Sequence, residues 1–277
     1  MSGLLERIRA LARAVESSDE SAIEDAVLRL SGRRRVFRPL AFCVGAFALL
    51  LDGLRLLISN WRLTLVQILP ALWIWLAMAN LRVHLLHDRT FDSLYGPILI
   101  PVILAIVAIT CASFFLNAVF AFAINGPGRP EIRPAIAEAR RHLVPLVGWG
   151  AAVGLALGFS TTVVTRWGSP WFALSLGIVI GVMMVCYVAV PARLIGAKPT
   201  QTRREKLMTS AVGGLLGATV SAPPYLLGRL GLLMIGSNAL RIPGVILFAV
   251  GVTLQAGATG AVRAIKMSVK LTGQRAS

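Results

Sequence analysis

Few side-chain groupings in this sequence could do chemistry, and each is incomplete. His84 and His87 stand three apart, with Asp88 beside the second. On one helix face such a trio could hold a zinc ion, but a two-histidine fragment without a further ligand in reach makes a poor zinc site. His142 falls on the other side of the membrane in the topology derived below. The trio therefore reads as polar residues capping the first span, and no metal is expected. Asp52 and Arg55, also three apart, suit an ion pair on a helix. Beside an apolar block they could form a gate or a lipid-headgroup contact; the simpler reading is an interfacial pair that pins its helix. No Walker-type phosphate loop, GxSxG elbow, HExxH or dinucleotide fingerprint occurs. No catalytic residue and no cofactor is expected, and the chain reads as a non-enzyme.

The remaining polar residues lie inside long apolar stretches. They include Gln67, Asn80, Asn117, Ser160, Thr161, Thr162, Thr219, Ser221 and Gln255. Asn117 and Thr219, together with the pair Pro223-Pro224, could line a path, because backbone unwound at paired prolines can bind an ion or a headgroup. The alternative is that such residues are interhelical hydrogen-bond partners. No Asp or Glu lies securely inside an apolar stretch, which argues against ion coupling through intramembrane carboxylates.

The elements that position these residues follow from the apolar blocks. The chain has 277 residues, of which 56% are hydrophobic and only 14% charged. A soluble domain has about 25% charged residues. The blocks are continuous rather than amphipathic, so the expected fold is an all-α polytopic transmembrane bundle. Six spans are expected at 63–81, 98–124, 143–165, 170–194, 206–233 and 243–262. Residues 36–60 hold an apolar run of only thirteen residues and read as an interfacial or re-entrant helix. Residues 1–35 form a basic amphipathic arm, 61–262 the spanning domain and 263–277 a basic tail. The first apolar block begins near Leu40 behind a charged arm, so targeting is expected from the first spans rather than from a cleaved leader. Cys43, Cys111 and Cys186 all fall in apolar segments and are expected as free thiols.

The net charge of +16 comes mostly from arginine at the ends of the apolar blocks. That placement fits the positive-inside rule better than a nucleic-acid surface, and nucleic acid is not expected as a partner. With both termini inside, six spans put 23 Lys and Arg on the inner side and 5 on the outer. If residues 36–58 also crossed, the balance would be 13 to 15. The six-span arrangement, with N- and C-termini cytoplasmic in a bacterial plasma membrane, is the expected one. Its inner basic residues would face a bilayer with an anionic inner leaflet.

Residues 143–195 stand out as the packing centre. Gly150, Gly154 and Gly158 recur every four residues in the first arm of this hairpin, and Gly177 and Gly181 do so in the second. In lipid, where burying apolar surface gains little, close backbone approach at small residues drives helix association. Two functions follow as expectations. The first is a membrane scaffold or subunit that engages another membrane protein, or further copies of itself as a homo-oligomer, through these glycine faces. The alternative is a transporter or lipid-handling protein with its path near a fifth span broken at Pro223-Pro224.

Val188-Ala189-Val190-Pro191, the basic loop after it, the helix start Leu207-Met208-Thr209-Ser210 and the organisation of residues 120–149 resemble a broad group of uncharacterised bacterial six-helix membrane proteins. The resemblance covers the organisation of residues 98–235. It implies an integral membrane protein and carries over no catalytic residue. An acidic residue often follows the proline in that group; here Gly196-Ala197-Lys198 follows.

Overall fold

A computed structural model describes residues 50–51, 53–85, 94–125, 130–196 and 202–263. The arm 1–35, the first part of the 36–60 segment and the tail from 264 lie outside the described residues. So do Cys43, Asp52, His87, Asp88 and the side chain of His84. Residues 50–51 and 53–59 are helical (α1). There follow α2 (Trp61–Leu85), α3 (Leu99–Asn125), a short α4 (Ile132–Arg141), α5 (Leu143–Thr162), α6 (Ser169–Gly196), α7 (Arg203–Ile235) and α8 (Arg241–Ala258). All six of the longer helices are long and apolar enough to cross a membrane, and no strand occurs among the described residues. The fold is thus the all-α bundle with six candidate spans that the apolar blocks predict.

Prolines mark where these helices start. Pro101, Pro145, Pro170 and Pro243 all fall in the first turn of α3, α5, α6 and α8. There the missing N–H would have had no intrahelical acceptor. The α5–α6 link is tighter than a free loop: α5 closes in a 3-10 turn, Val164–Trp167, and Gly168 reverses the chain at φ 108°. Only glycine adopts that backbone without strain.

Helix α6 is the centre of the bundle, packed against α2, α3, α5 and α7. Its hairpin partner α5 packs most closely on α3. The glycine face of α5 turns away from α6 and onto α3. A methyl added at Gly150 would stand 2.7 Å from Cys111 Cα, and one at Gly154 would stand 2.8 Å from Val107 Cα. Real Cβ atoms do not approach that closely, so these glycines set the α3–α5 distance. Helix α6 meets α7 through a different set of small residues. Gly217 lies against the Val185 carbonyl, and Ser221 donates to the Met184 carbonyl at 3.0 Å.

The tightest pairing is α7 with α8. Gly231 faces Gly244 and Phe248 N, while Gly251 faces Gly228 N and the Pro224 carbonyl. Helix α7 runs unbroken from Arg203 to Ile235 through Pro223 and Pro224. The expected break at the paired prolines is therefore absent. The small residues around them let α6 and α8 close in on both sides, and that packing holds the helix continuous despite two missing N–H groups.

Helix α1 buries Leu50, Gly53 and Leu57 and exposes Leu51, Arg55 and Ile58. Gly53 lies directly against Gly257 and Gly260, at the end of α8 and the start of the following 3-10 turn. Helix α4 buries Ala135 and Ala139 against α3, and Arg133, Arg140 and Arg141 remain exposed. Glu138 pairs with Arg141 at 3.1 Å and lies 3.4 Å from His142 Nε2. Around the bundle the outer surface is apolar, with Leu65, Ile100, Val144, Leu155, Ile178 and Ile246 all exposed. An apolar surface this extensive marks contact with lipid rather than water.

Candidate functional site

Two arrangements join side chains from several helices: a buried polar knot and an apolar cleft.

The knot is centred on Asn117 in α3, which is 1% exposed. Asn117 Nδ2 donates to the Tyr187 carbonyl at 2.6 Å. Its Oδ1 accepts from Gln67 Nε2 at 3.1 Å and from Thr259 Oγ1 at 2.7 Å. One amide thereby ties α2, α3, α6 and the 3-10 turn after α8. The Tyr187 carbonyl is available for a physical reason. Its intrahelical partner would be the N–H of residue 191, and residue 191 is proline. The Val-Ala-Val-Pro stretch frees a backbone acceptor in the bundle centre, and Asn117 satisfies it. Nearby, Tyr187 packs edge-on against Phe114 with centroids 4.9 Å apart. The Gln255 amide is buried without a hydrogen-bond partner among the described residues, and the Tyr187 and Ser113 hydroxyls interact with each other. Asn117 is enclosed and bonded on both amide atoms, which makes it a structural tie rather than part of an open path.

The other residues expected to line a path do not meet there. Thr219 Oγ1 donates to the Leu215 carbonyl of its own helix. Pro224 O faces Gly251, and neither proline exposes unwound backbone. Gly177 has a separate role. It leaves room for the Arg229 guanidinium, whose Nη1 would stand 2.6 Å from an added Cβ. Arg229 Nη1 donates to Tyr225 Oη at 2.8 Å, and Tyr225 in turn donates to the Gly177 carbonyl at 2.6 Å. Gly181 makes ordinary contact with the Tyr225 ring, 3.9 Å from an added Cβ. Tyr225→Phe removes both of these bonds. It should lower stability by about 1 kcal/mol, the net worth of partly buried hydrogen bonds, seen as a reduced thermal midpoint in detergent.

The cleft lies between α2 and α5, over α3. Helices α2 and α5 each pack on α3 and touch one another little, so a gap remains above their shared neighbour. It encloses about 350 Å³ and is lined by Trp73, Leu76, Ala77, Asn80, Leu157 and Thr161, with Ala79, Val83 and Ile106 completing the wall. The floor is buried, whereas Leu76 at its mouth is 43% exposed on the apolar perimeter. The polar groups in the lining differ in what they can offer. Trp73 Nε1 donates to Thr110 Oγ1 at 2.9 Å. Thr161 Oγ1 donates to the Leu157 and Gly158 carbonyls of its own helix. The Asn80 carboxamide has no hydrogen-bond partner among the described residues. Its position in an apolar segment was visible from the sequence. The cleft was not, because it depends on which face of α5 meets α3.

Among the described residues no group of three His, Cys, Asp or Glu side chains could hold a metal ion. The fold and its apolar perimeter define a polytopic helical membrane protein. No family model, curated protein or solved structure matches the chain.

Proposed function

We propose that this protein is a membrane-embedded lipid-binding protein without catalytic chemistry of its own, and that the cleft between α2 and α5 seats one acyl chain of a bilayer lipid. The observation that carries this reading is the 350 Å³ apolar cleft with its mouth on the lipid-facing perimeter. That volume falls in the range of small-ligand sites. A cleft at membrane depth draws its occupant from the bilayer. The reading belongs to the lipid-handling class and moves its site from Pro223-Pro224 to α2 and α5. The scaffold reading has less support, because Gly150, Gly154 and Gly177 spend their close approach inside the chain.

With both termini cytoplasmic, as the basic-residue balance argues, the cleft opens into the outer leaflet of a bacterial plasma membrane. On the inner side, the exposed Arg133 and Arg140 of α4 then face the anionic headgroups.

Ala77 sits on the cleft floor, and Ala77→Trp fills the space. Native mass spectrometry of gently extracted wild-type protein should show one lipid retained per chain. Ala77→Trp should lose it while keeping the wild-type elution volume. A filled variant that keeps the lipid, or a wild type that retains none, would overturn the reading.

A further inference from the structure

We infer that the cleft selects its occupant by length: it takes an acyl chain no longer than one leaflet is deep, and Trp73 is the stop against which that chain ends. This rests on the acyl-chain reading above and adds to it which chains the site accepts.

The length of the cleft is the first argument. Its lining on α2 runs from Trp73 to Val83. Ten residue steps of about 1.5 Å make about 15 Å. A hydrocarbon core is about 30 Å thick, so one leaflet of acyl chain is about 15 Å deep. The apolar window of α2 is Trp61–Val83. Trp73 therefore stands at the middle of the span and Val83 at its edge. The cleft covers one half of the membrane and ends where the other half begins.

What closes it at mid-span is the second. Trp73 Nε1 donates to Thr110 Oγ1 at 2.9 Å, so the indole reaches from α2 onto α3. Thr110 is fully buried, and its hydroxyl donates in turn to the Ile106 carbonyl at 2.7 Å. The same threonine abuts α5, for a Cβ added at Gly154 would stand 3.1 Å from Thr110 Cβ. The indole thus ends at the seam where α3 and α5 are in direct contact. Both α5 residues that line the cleft, Leu157 and Thr161, lie beyond Gly154, on the far side of this seam.

Third, the stop is held. The Trp73 ring can swing aside only by giving up its bond to Thr110, and Thr110 is itself fixed between its own helix and the glycine face of α5. A chain that overruns the cleft must displace this ring or fold back past Leu76 at the mouth. Forcing additional methylenes into a fitted apolar site is unfavourable in either case.

The test pairs dioleoyl phosphatidylcholine with dierucoyl phosphatidylcholine, which has the same headgroup and longer chains. The two compete for purified full-length protein, and native mass spectrometry reads the bound ratio. Wild type should prefer the dioleoyl lipid by about fivefold, the lower end of what overfilling a fitted site costs. Trp73→Ala opens the cleft past mid-span and should bring the ratio to one while lipid is still retained. Thr110→Val keeps the shape of the floor and removes the acceptor that holds the indole; it should lower the preference without abolishing it, and it keeps the test open if Trp73→Ala fails to fold. Equal binding of both lipids by wild type would overturn the length assignment and leave the acyl-chain reading standing. Retention of neither lipid would overturn both. A preference unchanged in Trp73→Ala, or in Thr110→Val where that is the variant that folds, would overturn the assignment of Trp73 as the stop.

Discussion

Asn117→Ala is expected to lower stability by about 2–3 kcal/mol, among the larger losses open to a single polar side chain here. The variant removes three hydrogen bonds and leaves the Tyr187 carbonyl, the Gln67 amide and the Thr259 hydroxyl without their shared partner. In membrane bundles one interhelical hydrogen bond averages about 0.6 kcal/mol. A group left buried and unpaired costs about 1–3 kcal/mol. Three such groups with partial relaxation give the expected range. A loss this large should appear as a clear drop in the thermal midpoint in detergent. A second substitution tests the cause. Pro191→Ala restores an N–H that can bond the Tyr187 carbonyl within α6. In that background, Asn117→Ala should cost about 1 kcal/mol less. Strictly additive effects would show that the freed carbonyl is not what Asn117 serves.

Gly251→Leu is expected to be more damaging still, at about 3 kcal/mol or above, with loss of most folded protein. A Cβ at Gly251 would stand 2.6 Å from Gly228 N and 2.8 Å from the Pro224 carbonyl. Those are backbone atoms of α7, and they move only if the whole helix moves. Overpacking a fitted core costs about 1–3 kcal/mol even where side chains can yield. Gly214→Ala is the control, since an added Cβ there meets nothing within 4 Å. Replacing an unhindered helical glycine by alanine should stabilise by up to about 1 kcal/mol. The pair separates a spatial requirement for glycine from a general intolerance of substitution. Equal damage at both positions would refute the close-contact argument.

Long apolar blocks made the helices legible before any coordinates. Hydrophobicity over about twenty residues depends on local composition alone, so α2, α3, α5, α6, α7 and α8 stood out. Partner choice was less accessible. The four-residue spacing of Gly150, Gly154 and Gly158 identified one face of α5, but it could not say that α3 rather than α6 would meet it. Gly228 and Gly231, three apart, and Gly244 and Gly251, seven apart, each share a helix face, but neither spacing says that these two faces meet. The paired prolines of α7 misled because local sequence registers the missing N–H groups and not the neighbours that hold the helix straight. Asn117 was visible as a polar residue in an apolar segment. Its role depended on Pro191, seventy-four residues away in sequence, and no local signal joins the two.

The knot also has a consequence for the order of synthesis. Its members emerge from the ribosome at positions 67, 117, 187 and 259. Gln67 can bond Asn117 once two spans have been inserted. The Tyr187 carbonyl joins at the fourth, and Thr259 only after the sixth. Until the last helix arrives, the amide at the bundle centre lacks one of its donors. A nascent form truncated before residue 259 thus holds an unfinished centre.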